Sequence, residues 1–152
     1  MLGSDVNYDQ WEVSVADDMN FGLVGNSEYR VSFGGYLNDK KMSFIDYKHF
    51  NGNQLFYTRA NGLRQFQLLD YYFYSTTSNY VEAHYEHHFN EFLLNKLPLI
   101  KKLNWQTVAS LHYLRTPATD NYVEAGIGIE HIFKFMRIDY FRSFQSGKWN
   151  FS

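Results

Sequence analysis

Apolar and polar residues alternate at every second position along several stretches of this chain, the pattern of strands that turn one face to an apolar medium and the other to a polar one. Trp11, Val13 and Val15 alternate with Gln10, Glu12 and Ser14, and Tyr29, Val31 and Phe33 with Glu28, Arg30 and Ser32. Val81, Ala83, Tyr85 and Phe89 alternate with Glu82, His84, Glu86 and His88. Trp105, Thr107, Ala109, Leu111 and Tyr113 alternate with Gln106, Ser110 and His112. Val123, Ala125, Ile127 and Ile129 alternate with Glu124, Gly126, Gly128 and Glu130, and Met136, Ile138 and Tyr140 with Arg137 and Asp139. Turn-forming clusters separate the runs: Gly25-Asn26 as a tight hairpin, Asn38-Asp39-Lys40, Asn51-Gly52-Asn53, a longer loop over 116–121, and Ser146-Gly147-Lys148. The pattern predicts an all-β chain, an antiparallel up-and-down meander of about eight strands, each roughly 8–12 residues long.

One segment breaks the period. Residues 90–103 read NEFLLNKLPLIKKL, where Asn90 caps and Pro98 ends or kinks a short helical turn near 91–103. Its leucines and lysines suit either a membrane surface or a soluble loop with a buried turn, and both readings stay open.

Composition narrows the class. Aromatics make up 20% of the 152 residues, a load that strands and membrane–water interfaces both favour. Two prolines leave long ladders permitted, and the lack of cysteine excludes disulfides and a thiol nucleophile. A net charge of −2 gives no basic excess for nucleic acid. No apolar run reaches the ~18 residues of a transmembrane helix, and mean hydropathy is −0.45. Neither fact bears on a barrel, whose strands are apolar only at alternate positions. The start, MLGSDVNYDQ, has neither the basic nor the apolar region of an export signal, and the chain stops at Trp149-Asn150-Phe151-Ser152, before an expected last strand. The expectation is a single domain over 1–152, the C-terminal fragment of a longer protein.

Alternation alone does not say which face meets what. In a soluble lipocalin-like barrel the apolar face lines a cavity for a small apolar ligand; in a membrane barrel it faces lipid. Two features favour the membrane. The polar positions carry charges of both signs, able to pair across strands, while lysines sit in turns (Lys40, Lys41, Lys101, Lys102, Lys148). Aromatics crowd strand ends, as at 71–74, Tyr80, Trp105, Tyr113, Tyr122 and Phe133. The expected lumen-facing residues are Glu82, His84, Glu86, His88, Glu124, Glu130, Arg137 and Asp139. The expected lipid-facing ones are Val81, Ala83, Tyr85, Ala109, Leu111, Ala125, Ile127, Ile129 and Ile138.

Candidate chemistry changes this little. His84-Tyr85-Glu86-His87-His88 is neither HExxH nor HxxEH. Strand spacing puts positions i and i+2 about 7 Å apart and i and i+4 about 13 Å, too far for one row to close a metal site, so a ladder of paired Glu and His is expected instead. Gly126-Ile127-Gly128 lacks the third glycine and the helix of a nucleotide loop, and reads as room for curvature or close packing. Residues 46–50, DYKHF, read as strand-end pairing ahead of a lumenal or periplasmic contact. No GxSxG occurs. No catalytic residue, metal or cofactor is expected.

The stretches FGLVGNSEYRVSFGGYLN, FIDYKHFNGNQ, YVEAHYEHHFNEFLLNKLPLIKKLNWQ and NYVEAGIGIEHIFKFMRIDY carry a resemblance over nearly the whole chain, most specific over 46–53, 82–98 and 124–137. They resemble the C-terminal barrel of outer-membrane proteins that place a carboxypeptidase-regulatory-like β-sandwich ahead of a barrel of uncharacterised function, and more distantly the BamA-type surface-antigen barrels. The resemblance implies an outer-membrane β-barrel, or an open part of a larger one, in a Gram-negative bacterium. It implies a bilayer and other outer-membrane or periplasmic proteins as partners, and no enzymatic activity. A part in protein assembly, secretion or surface export follows from the distant relationship alone. The regulatory-like domain and the upstream strands of a full barrel are missing from this chain.

Overall fold

Each of the six alternating runs lies within a strand, apart from Trp105, which stands one residue ahead of its strand. The computed structural model describes residues 7–52, 65–70, 72, 74–90, 104–117, 119–145 and 148–151. These form β1 (Asn7–Asn20), β2 (Asn26–Lys41), β3 (Tyr80–Phe89), β4 (Gln106–Thr116), β5 (Thr119–Ile132), β6 (Met136–Gln145) and the short β7 (Lys148–Phe151). Every strand pairs antiparallel with its sequence neighbours, in the order β1-β2-β3-β4-β5-β6-β7. This is a meander, and among the described residues the sheet is open, with β1 and β7 at its edges. Seven strands are described where about eight are expected.

Three expected breaks fall differently. Asn38-Asp39-Lys40 lies inside β2, which runs on to Lys41 opposite Asn7, because pairing with β1 supplies its backbone partners. The loop expected over 116–121 shrinks to a tight turn, since Thr116 already pairs with Thr119. Pro117, which has no N–H to give a ladder, stands just outside β4. Residues 148–151, expected to precede a last strand, form one themselves, against β6. The helical turn expected near 91–103 lies outside the described residues.

The β1–β2 turn runs over 21–25, with a 3-10 turn at Gly22–Val24. Asn20 Oδ1 accepts the Gly22 N–H at 2.7 Å, and Phe21 N–H donates to Gly25 O at 2.8 Å. Gly25 adopts φ 127°, and a Cβ there would lie 1.9 Å from the His88 carbonyl oxygen, so only glycine fits.

Described parts of the long β2–β3 connection, 42–79, those around Phe50, 65–70 and Tyr74, lie over one face of the sheet. Phe50, Phe66, Leu69 and Tyr74 pack with Tyr80, Leu114 and Tyr122 of the strands into a buried cluster. Each large side chain so buried contributes roughly 1.5–3 kcal/mol. The opposite face is bare: Val13, Phe33, Tyr85, Leu111, Ile127, Ile138 and Tyr140 are all exposed.

Candidate functional site

The covered face carries the polar positions of the strands, and over β3–β5 most of them are buried and paired, whereas those of β1 are exposed. Register sets adjacent rows: Arg30, His84, His112, Glu124 and Ser143 stand side by side, and next to them Glu28, Glu86, Ser110, Gly126 and Phe141. His112 and Glu124 are 0% exposed, whereas Ile127 and Ile138 of the bare face are each 58% exposed.

At the centre of the face is an ion-paired cluster. Arg137 on β6 reaches across β5 and β4 to Glu86 on β3, donating from Nη1 to Oε1 at 2.8 Å and from Nη2 to Oε2 at 3.1 Å. Its Nε donates to both carboxylate oxygens of Asp139, at 2.8 and 2.9 Å. The planar fork of an arginine suits this two-point pairing, which a lysine could not reproduce. Glu86 also accepts from Ser110 Oγ at 3.0 Å. His88 bridges two carboxylates, Nε2 at 2.9 Å from Glu86 and Nδ1 at 2.9 Å from Glu130. Both nitrogens donate only in the imidazolium form, so two cations then face the three carboxylates of Glu86, Glu130 and Asp139.

Glycines of β5 make room for two side chains of β6 in and beside this cluster. A Cβ on Gly126 would lie 2.3 Å from the Phe141 ring, and one on Gly128 would lie 2.1 Å from Asp139 Oδ1. Phe141 and Asp139 lean over β5 through these gaps, and Phe141 stacks on His112 at 5.8 Å. Tyr80 repeats the device. It lies over Gly34 of β2 and donates its hydroxyl to Glu12 of β1 at 2.8 Å. Lys48 pairs with the same carboxylate at 2.8 Å and sits 5.1 Å above the Tyr80 ring.

Above the cluster, the connection is fastened to the sheet. Glu124 accepts the backbone N–H groups of Gln67 at 2.7 Å and Leu68 at 2.8 Å, and the Tyr122 hydroxyl as well. Phe66 packs 4.8 Å from His84 and 6.0 Å from His112. His84 Nε2 lies 2.8 Å from Glu82 Oε1, and His84 Nδ1 lies 2.8 Å from His112 Nδ1. An Nε2–H tautomer of His84 and an Nδ1–H tautomer of His112 satisfy both contacts. The Tyr74 hydroxyl donates to Gln145 at 2.8 Å. Burial, then the charges of Asp70 and Glu124, push the Tyr74 phenol above its ordinary value.

All eight charged or imidazole residues singled out in the sequence lie on this face. Glu86, His88, Glu130, Arg137 and Asp139 form the cluster, Glu82 and His84 join His112, and Glu124 stands apart as the fastening point for the connection. Val81, Ala83, Tyr85, Ala109, Leu111, Ala125, Ile127, Ile129 and Ile138 occupy the alternate positions. Of 46–50, Lys48 pairs with Glu12, and Asp46 joins Ser43 in a capping box at the 3-10 turn Phe44–Asp46. Sequence reasoning passed over Phe66 and Leu69, and placed Tyr122 and Ser110 on strands without their contacts to Glu124 and Glu86. Among the described residues no group of three or more His, Cys, Asp and Glu is arranged to hold a metal ion.

Residues 1–129 match the C-terminal domain of a family of unknown function (DUF5686), and the chain belongs to that family. No curated protein and no solved structure matches it.

Proposed function

We propose that this member of the family is part of an outer-membrane β-barrel of a Gram-negative bacterium, with its bare face against lipid and its covered face, with residues 65–70 packed on it, lining a lumen. In this reading the domain is a non-catalytic module. It serves protein assembly, secretion or surface export alongside other outer-membrane or periplasmic proteins, in the manner of the distantly similar BamA-type barrels.

The observation that carries the reading is the sidedness of the sheet: Glu124 and His112 are wholly buried while Ile127 and Ile138 are more than half exposed. In water, soluble monomers rarely present an apolar patch beyond a few hundred Å². In hydrocarbon, the same face is favourable and backbone groups must be paired, as they are over most of the length of the continuous antiparallel ladders from β2 to β6. Strands of 10 to 16 residues over β1–β6 meet the ~9–11 that a tilted strand needs to cross a bilayer. A soluble ligand-binding barrel needs the opposite arrangement, with Val81, Ala83, Tyr85, Ile127 and Ile129 turned inward. The side chains of the central cluster hydrogen-bond to one another, which suits a wall that ties strands together better than a reaction centre.

Trp11 lies on the bare face of β1. In a Trp105→Phe, Trp149→Phe background, its fluorescence in vesicles is expected to be strongly quenched by lipids brominated along the acyl chains. A folded protein whose Trp11 emission ignores those lipids would remove the proposal.

A further inference from the structure

At the end of the sheet where the 42–79 connection and the β4–β5 turn lie, the structure holds a cavity of about 430 Å³, lined by Asn79, Val81, Arg115, Pro117 and Asn121 among others. Arg115 is exposed, stands opposite Val81 on the bare face, and is permanently charged. No ion pair to it occurs among the described residues. Asn121 Oδ1 is taken by the Tyr113 hydroxyl at 2.6 Å, which leaves its amide NH₂ to donate. The Asn79 side-chain oxygen is tucked against Gly35, so its NH₂ is the group left to face a ligand. Thr116, almost fully buried, also lines the cavity, and its hydroxyl finds no partner among the described residues. The polar lining is therefore dominated by donors around one cation, the chemistry that recognises a phosphate.

The position of the cavity bears on where such a phosphate would come from. Val81 and Pro117 give it an apolar wall. Below Arg115 on the same face come Ala83, Tyr113 and Val123 in one row and Tyr85, Leu111 and Ala125 in the next. We infer that this cavity is a lipid-headgroup site: it takes the phosphate of a membrane lipid on Arg115 and Asn121, with the acyl chains lying down the bare face over Ala83, Val123 and Leu111. The inference rests on the proposed lipid contact of that face.

The test titrates the full chain, in non-ionic detergent micelles, with dihexanoyl phosphatidic acid and separately with inorganic phosphate. Saturable binding of the lipid is expected. Arg115→Gln weakens it about tenfold or more, the loss of one charge-assisted contact, and Arg115→Lys restores part of it. Lys134→Gln, in the turn at the other end of the sheet, leaves it unchanged. Equal binding by Arg115→Gln, an equal loss in Lys134→Gln, or inorganic phosphate binding as tightly as the lipid each overturns the site. Trp11 quenching by brominated lipid, read on the same variants in the Trp105→Phe, Trp149→Phe background, separates the two claims. Quenching without headgroup selectivity sinks the site alone; no quenching with Arg115 intact sinks the reading beneath it.

Discussion

Arg137 shows how a single side chain holds strands that are not neighbours. It spans from β6 to β3, held on the way by Asp139, which lies over Gly128 of β5, and it finds Glu86 already oriented by Ser110 and His88. Removing one partner of such a pair strands the other charge in a buried place, which costs about 3–5 kcal/mol, whereas removing both costs far less. Arg137→Met is therefore expected to lower unfolding stability by about 3 kcal/mol, measured by urea titration in lipid vesicles, with Glu86→Gln/Arg137→Met recovering most of the loss. A double variant as unstable as the sum of the singles would show that the two residues act independently. At this scale the sequence was partly legible. Alternation put Glu86 and Arg137 on polar positions, and Gly126-Gly128 read as close packing. Which acid meets which base was hidden, because Arg137 skips two strands and the choice depends on side-chain reach, not on spacing along the chain.

The strands were legible as elements because their signal is local: a period of two needs only each residue and its neighbours. The 42–79 connection has no such period. Its anchors, Phe66 and Leu69, are apolar residues in a stretch that reads as loop, and their partners Tyr122 and Leu114 are tens of residues away. Glu124 was legible as a polar strand position, yet its use as an acceptor for the backbone of 67 and 68 was not, since that contact joins residues 57 and 56 positions apart. Hydrogen bonds to a charged acceptor contribute about 1.5–3 kcal/mol each. Glu124→Ala should therefore loosen this segment without unpairing the sheet. Amide exchange at Gln67 and Leu68 is expected to quicken by about tenfold or more, with the β4 amides of Ala109 and Leu111 unchanged. Equal acceleration in β4 would mean that Glu124 supports the sheet itself and not the connection.

For the molecule as a whole, the two faces of the meander divide the chemistry. One face collects the ion pairs, imidazoles and packed aromatics; the other leaves Val13, Leu111, Ile127 and Ile138 uncovered. Alternation in the sequence established that two such faces exist, but a period of two is the same whichever face is inside. The structure adds that the polar face is buried at its centre, through the burial of His112 and Glu124 and the packing of Phe66 and the backbone of Gln67 over them. Membership of a family without known function leaves that sidedness as the physical basis of the membrane proposal.

The most direct test uses the absence of native cysteine. Nitroxide labels are placed at Ile127→Cys on the bare face and at Ser14→Cys on the covered face of β1, in chain reconstituted into phospholipid vesicles, and their collision rates with oxygen and with a water-soluble nickel chelate are compared. The account predicts that the label at 127 meets oxygen and is shielded from nickel, while the label at 14 shows the reverse preference. Nickel access at 127 equal to or above that at 14 would contradict it.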